Sequence, residues 1–382
     1  MIDKLTLQNF KGIESAEIEL ERLTVIVGPN ASGKTSVLQA LHLLSQMANP
    51  DLLRNNVVLA QGGVSLLLKR EQKNGVVRAD GRASGHPMNL RVLLFSEPTK
   101  LEVWGTWGGK RFDIRDPFHT PGTNRRLFDV SAPPLEVLQN WSGASLLRFE
   151  PRRLAEPSHA ESVEPRIQSD GLGMASVLAQ MALNRPDDFA ELQLALKAVI
   201  PQVVKVRLSL AEIQRQEMET IRIDEQSITR NVNRTYSGHR VLFDLTGAND
   251  VPSEGASEGT LLVLGLLAVL FRTPKPKLVL LDDLDRGLHP KAQKDLVAQL
   301  RKLLERDPEL QIIATSHSPY LVDHLDPKEV RLSTVLPDGT IRFAELTQHP
   351  DFERWKEVMR PGEFWSTVGE GWVGSVQEKP QK

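Results

Sequence analysis

The sequence predicts an α/β protein: a lobe with a parallel sheet, a lobe of mixed and antiparallel strands, and a small helical insert. Three observations predict it. The segment LTVIVGPNASGKTSVLQALHLL, Leu23 to Leu44, sets a glycine-rich turn between a short apolar strand and an apolar helix. The last third alternates strand-like and helix-like segments, which implies a parallel sheet. Two further blocks, near 60–115 and 203–245, hold β-rich runs punctuated by turn residues.

Taken in order, residues 1–27 read as strands, because KLTLQNF and AEIEL alternate and LTVIV is a short buried run. A helix follows from about Gly33 to Gln46 and closes at ANP. The runs VSLLLKR, NLRVLLF and KLEVWGTW suggest an antiparallel sheet, and Asp116 to Arg166, rich in Pro, Arg and Ser, suggests loop with short helices. Gly171 to Ile200 reads as two helices broken at Asn184-Arg185-Pro186. After the second β block come a helix from about Thr260, the strand KLVLLDD, a helix from about Pro290, the strand LQIIATS and a helix after Pro319. The residues after Trp372 are polar and expected to fray.

Composition narrows the class. Of 382 residues, 40% are hydrophobic and 25% charged, as in a soluble globular chain. The net charge of −2 gives no global pull toward nucleic acid or acidic membranes, so any such contact needs a local patch. Cysteine is absent, which excludes disulfides and thiolate metal sites and suits a reducing cytosol. The start MIDKLTLQNF lacks a secretory layout, and LLVLGLLAVLF (Leu261 to Phe271) is too short to span a bilayer. A cytoplasmic location without membrane contact is the expectation.

Gly28-Pro29-Asn30-Ala31-Ser32-Gly33-Lys34-Thr35 fits G-x-x-x-x-G-K-[ST] in the strand–turn–helix setting that the motif requires. Glycines let backbone N–H groups face a phosphate, and the helix N-terminus adds a positive dipole end. Lys34 is expected on the β- and γ-phosphates and Thr35 on Mg²⁺, with Gly28, Asn30, Ala31, Ser32, Gly33 and Ser36 completing the cradle. KLVLLDDLDRGLHP (Lys277 to Pro290) ends an apolar strand in two carboxylates. Asp282 stands where a carboxylate holds the Mg²⁺ ligand sphere, and Asp283 where one orients attacking water. Ser257-Glu258-Gly259-Thr260 precedes a helix 22 positions ahead of Asp282, and IIATSHSPYLVD presents His317 after a strand end. Alone, the first is a routine helix cap and the second a structural histidine. Their order carries the information.

That order resembles the ATP-binding-cassette ATPases, specifically the soluble structural-maintenance and recombination branch, and most of all the compact overcoming-lysogenization-defect-like ATPases of bacteria. LQNFKGI (Leu7 to Ile13), GLHP (Gly287 to Pro290), SHSPYLVD (Ser316 to Asp323) and PGEFW (Pro361 to Trp365) are similar to that group as well. The resemblance implies a P-loop NTPase head of the ABC type as one domain, 1–382. Its expected parts are an N-terminal lobe (1–148), a helical insert (149–200), a second lobe (201–350) and a C-terminal segment (351–382). It implies a head-to-head homodimer, or a higher homo-oligomer, that shares ATP and Mg²⁺. One copy offers the phosphate loop, Asp282, Asp283 and His317; the other offers Ser257, Glu258 and Gly259 to the γ-phosphate. Lys11 is expected near the nucleotide.

Departures from the family pattern set further expectations. Asp283 stands where Glu is usual, Leu284 replaces a frequent Pro, and His289 stands where transporters carry Asp. A carboxylate one methylene shorter implies slow hydrolysis. The 221 positions between Thr35 and Ser257 hold no heptads, and 65 residues follow His317, too few for an appended nuclease domain. The expected function is therefore an ATP-gated switch for a separate effector, a nuclease or toxin encoded nearby, in anti-phage defence. The alternative is a DNA-clamping repair ATPase. For that alternative, FEPRRLAEP (Phe149 to Pro157) and the arginines of 201–240 are candidate phosphate contacts, though exposed sheet faces often look alike. Six tryptophans, among them Trp355, Trp365 and Trp372, read as core packing or as a dock for the C-terminal segment or a partner.

Overall fold

The computed structural model describes residues 1–48, 64–97, 99–114, 141, 143–223 and 226–376. Most of the Asp116–Arg166 loop expectation (through 140) and the last six residues lie outside that set. The chain opens with strands β1 (Ile2–Phe10), β2 (Ile13–Glu19) and β3 (Leu23–Val27), then helix α1 (Lys34–Met47). Strands β4 (Asn74–Ala83), β5 (His86–Ser96), β6 (Thr99–Trp107), β7 (Lys110–Ile114) and β8 (Ser145–Leu147) follow. Helices α2 (Pro151–Ala155), α3 (Met174–Asn184) and α4 (Pro186–Val199) lead to strands β9 (Val203–Ile223), β10 (Gln226–Leu245) and β11 (Ala248–Pro252). Helix α5 (Glu258–Phe271), strand β12 (Leu278–Leu281), helix α6 (Pro290–Arg306), strand β13 (Gln311–Ser316) and helix α7 (Pro319–Val322) come next. Strands β14 (Val330–Val335) and β15 (Ile341–Glu345) and helices α8 (Phe352–Trp355) and α9 (Pro361–Val368) complete it.

The described residues form two compact units. The first comprises Met1–Leu146, Pro276–Arg286 and Leu300–Lys382; the second comprises Leu147–Lys275 and Gly287–Gln299.

The first unit contains two sheets. One is antiparallel, in the order β2-β1-β4-β5-β6-β7. The other runs β15-β14-β3-β13-β12-β8, with β14, β3, β13 and β12 mutually parallel. Strands β3, β12 and β13 are buried at every position, which explains their unbroken apolar or small-residue reading. Helix α1 is apolar nearly all round: Val37, Leu38, Ala40, Leu41, Leu43, Leu44 and Met47 are all buried. Such a helix needs cover on more than one side. Here one core joins it to Leu5, Leu7 and Phe10 of β1, Val77 of β4, Leu90 of β5, and Leu280 and Ile313 of the parallel sheet.

In the second unit, α5 is buried from Gly259 to Phe271 at every position but Leu262. Gly265 makes one close packing possible, since a Cβ there would lie 2.6 Å from Leu154 Cδ2 and 3.2 Å from Phe149 Cε2. The 203–245 block folds as a long hairpin, with β9 and β10 in register from Gln226↔Ile223 to Asp244↔Lys205 and β11 on the far side of β10.

Candidate nucleotide site

Every catalytic, phosphate-loop and metal-ligating candidate read from the sequence except the Ser257–Gly259 corner lies in the first unit. Strand β3 delivers the chain into a turn whose backbone ordinary residues resist. Gly28 has φ +143°, Ala31 +63° and Gly33 +87°. At Gly28 a Cβ would sit 2.2 Å from the Ser333 carbonyl oxygen, so no side chain fits without moving β14. Ser32 fastens the turn: its hydroxyl donates to the Pro29 carbonyl at 2.8 Å and lies 2.6 Å from Ser333 Oγ. Ser333 in turn donates to the Val27 carbonyl at 3.1 Å. Pro29, Asn30 and Ala31 stay exposed at the tip.

Lys34, the first residue of α1, is 6% exposed. Its ammonium donates to the carbonyls of Gly28 at 2.9 Å and Pro29 at 2.7 Å, wrapping back over the turn. Burial pushes its pKa below the usual lysine range, while Asp283, Asp282 and Glu370 pull it up. A cation desolvated in this way gains most from a multiply charged anion. Thr35 Oγ1 lies 3.2 Å and 3.1 Å from the two carboxylate oxygens of Asp282, across the end of β12. Ser36 follows on α1, half-buried.

Asp282 and Asp283 leave β12 in different directions. Thr315, the penultimate residue of β13, donates its hydroxyl to Asp282 Oδ1 at 2.7 Å and accepts the Asp283 amide at 2.9 Å. Asp283 has φ +57°, the left-handed region that Asp tolerates better than most residues. Its pKa is raised by burial first and by Asp282 second, and the His317 charge opposes the rise. The His317 amide donates to Asp285 Oδ1 at 3.1 Å, which fixes the strand-end turn that carries the imidazole. Lys11, at φ +52°, donates from Nζ to Gln39 Oε1 on α1.

The residues fit a triphosphate with a divalent cation. A buried ammonium and a helix N-terminus face anions; an oxygen pair from Thr35 and Asp282 suits a hard cation. The sequence reading missed three contributors. In the sequence, Thr315 is only one of the two residues, Thr315-Ser316, that end the strand before His317, and nothing there gives it a role at the site. Ser333 and Glu370 carry no motif, and only the pairing of β14 with β3 and the return of the C-terminal segment bring them near the loop.

The Ser257 corner belongs to the second unit. Ser257 is the N-cap of α5, its hydroxyl accepting the Thr260 amide at 3.2 Å, and Ser257 and Glu258 are exposed. Gly259 is buried against Gly287, whose carbonyl oxygen would lie 2.4 Å from a Cβ. His289, in the same unit, offers Nδ1 to the Lys291 amide at 3.4 Å.

Five of the arginines proposed for a phosphate backbone already hold carboxylates. Arg153 binds Asp170 and Glu156, each at 3.0 Å. Arg207 binds Asp244 at 2.7 Å and also Asp250; Arg215 binds Glu161. Arg230 and Arg234 bind Glu219 at 2.9 Å and 3.2 Å. Among the tryptophans, Trp365 donates to Glu370 at 2.8 Å and Trp372 to the Gly369 carbonyl at 3.0 Å, both bonds within the C-terminal segment.

The family described as "AAA domain, putative AbiEii toxin, Type IV TA system" matches residues 23–323, from the first residue of β3 to Asp323, just past α7. The chain belongs to this family. It is similar to the OLD nuclease of Thermus scotoductus, 23% identical over 336 residues covering 85% of this chain. It is also similar to the DNA replication and repair protein RecF of Synechocystis, 28% identical over 145 residues covering 36% of this chain. The chain spans only 60% and 38% of the lengths of these relatives. Among solved structures, the SMC head domain from Thermotoga maritima aligns over 90% of this chain and 98% of its own, with TM-score 0.48 and 13% identity. A RecF–ATP structure aligns over 83% and 93%, with TM-score 0.44 and 13% identity. The sheets observed in the first unit, one with a parallel core and one antiparallel, are those expected of the α/β fold read from the sequence. Among the described residues, no helix is long and apolar enough to cross a membrane.

Proposed function

We propose that this chain is an ATP- and Mg²⁺-binding, slowly hydrolysing ATPase that works as a dimeric, cytoplasmic switch on a separate effector protein. The convergence of Lys34, Thr35, Asp282 and Asp283 at the ends of β3 and β12 carries the reading. In it, the Gly28–Thr35 backbone and Lys34 bind the β- and γ-phosphates, and Thr35 and Asp282 hold Mg²⁺. The cation, when bound, neutralises phosphate charge. Asp283 accepts the proton of the attacking water, its raised pKa suiting a base that is reprotonated readily, and His317 contributes a hydrogen bond at the γ-phosphate side.

The exposure of Ser257 and Glu258 at the start of α5 supports a shared site, since a second copy can reach this corner once the Ser257 hydroxyl releases the Thr260 amide it caps. Shared ATP then adds its binding energy to association, so nucleotide closes the dimer and hydrolysis releases it. The anti-phage setting and the neighbouring nuclease or toxin rest on likeness to the family. The test is sedimentation with ATP and Mg²⁺ of the wild type, Lys34→Ala and Ser257→Arg, followed by copurification with the product of the adjacent gene. ATP-driven dimerisation lost in both variants supports the reading. Association unchanged by nucleotide refutes the switch.

A further inference from the structure

The β9–β10 hairpin presents an edge that nothing in the described chain covers. Strand β9 is outermost in its sheet, and its free side pairs with no strand among the described residues. At the base, the Val206 amide is capped by Gln193 Oε1 at 2.8 Å. From Leu210 outward no such cap is seen among the described residues. Natural sheets blunt long edges with prolines, charged side chains (lysine above all) or bulges; of the charges on the outer part of β9, Arg215 and Glu219 are already paired within the chain. Strand β9 has no Pro, no Lys beyond Lys205, and an unbroken register with β10 from Ile223 to Lys205. A two-stranded ribbon alone is only marginally stable in water, so an edge of this length favours a third strand.

The exposed face states which strand. Side chains 210, 212, 214, 216 and 218 share one face, and all five are exposed. Leu210 is 74% and Met218 78% exposed, large apolar groups with no cover. They stand symmetrically, four residues either side of Gln214. We propose that the β9 edge pairs antiparallel with the same edge of a second copy, about a two-fold axis at Gln214. This register sets Leu210 against Met218 of the other copy, Glu212 against Gln216, and Gln214 against itself. On the opposite face Arg215 meets Ile213, and Glu217 meets Ala211. The Arg215 charge is already balanced by Glu161. The pattern is self-complementary, as an isologous contact requires, and it sets no like charges directly opposite. Nucleic acid is the poorer occupant, since Arg215, Arg230 and Arg234 already hold carboxylates. The contact uses no nucleotide-site residue, so it goes beyond the proposed switch and stands without it.

The absence of cysteine makes the test direct. Gln214→Cys is oxidised without nucleotide at low micromolar concentration, beside Leu183→Cys, a 76% exposed position on α3, as collisional control. A two-fold axis at position 214 gives a disulfide dimer at least tenfold faster than the control. Glu212→Cys mixed with Gln216→Cys crosslinks faster than either alone. In the cysteine-free chain, Met218→Lys weakens nucleotide-independent self-association about tenfold or more. Equal rates for Gln214→Cys and Leu183→Cys, or association unchanged by Met218→Lys, overturn the proposal; so does a ribbon that binds duplex DNA while remaining monomeric. Repeating the crosslink in Lys34→Ala separates the two readings, because the ribbon contact persists there whether or not the nucleotide switch is correct.

Discussion

The Thr35 hydroxyl and the Asp282 carboxylate lie 3.1–3.2 Å apart although 247 residues separate them in sequence. Thr35 is the second residue of α1 and Asp282 directly follows β12, so the pair exists only because β12 and β3 both flank β13 in the parallel sheet. Thr315 on β13 sits between the two, bonded to Asp282 Oδ1.

Thr315→Val tests that bridge. The substitution keeps shape and removes the hydroxyl that orients Asp282 and satisfies the Asp283 amide. Outer-shell losses of this kind typically cost 10–100-fold in metal affinity. Titration calorimetry of ATP with Mg²⁺ is expected to show a drop in that range, with a much smaller change in Mg²⁺-free buffer.

Gly28→Ala places a Cβ 2.2 Å from the Ser333 carbonyl. The loop and β14 must separate to admit it. Overpacking costs about 1–3 kcal/mol, and a displaced loop no longer directs its amides at phosphate. Denaturant melts and a fluorescent-nucleotide titration should record lower stability together with loss of binding.

Asp283→Asn keeps a residue type at ease at φ +57° and removes the proposed base. ATP binding is retained, while single-turnover hydrolysis falls about 10²–10⁴-fold, the usual contribution of a general base. Hydrolysis by the wild-type chain well below ~10 s⁻¹ is also expected, given the short carboxylate.

Asp244 provides a pH test of the second unit. The Arg207 guanidinium and the Asp250 amide hold its pKa below the ordinary Asp value. A depressed folded-state pKa means that the unfolded chain takes up the proton first. The stabilisation is therefore complete above the unfolded value, ~3.9, and is lost as pH falls through the folded one. Thermal melts between pH 6 and pH 2.5 should show Asp244→Asn less stable at the neutral end, with the gap closing on acidification.

Much of the site was legible because it is local. Gly28 to Thr35 is eight consecutive residues, and strand–turn–helix periodicity was enough to locate them. Asp282, Asp283 and His317 were legible as strand-end chemistry, since apolar runs mark strands and polar residues mark where they stop. The helix starts were read to within a residue or two of Lys34, Glu258 and Pro290. The role of Ser333 was not legible: it lies in a strand without a motif and matters only through its distance from Gly28. The pairing of β1 with β4, which binds the first strands to the antiparallel sheet, was equally hidden. Alternation shows that a strand has two faces and leaves its neighbour open.

By itself the sequence determined the chemical inventory: a phosphate turn, two carboxylates after a buried strand, a capped helix start and a histidine after a strand. Those follow from covalent spacing, since φ and ψ preferences and side-chain period act over a few residues. The tertiary structure decided which of these meet. Parallel pairing of β12 and β3 with β13 set Thr35 on Asp282, pairing of β14 with β3 set Ser333 under Gly28, and among the described residues hairpin register left β9 an unpaired edge. Backbone hydrogen bonds between distant strands are the same for every residue, so the neighbour is chosen by burial over the whole core, which no short stretch of sequence encodes.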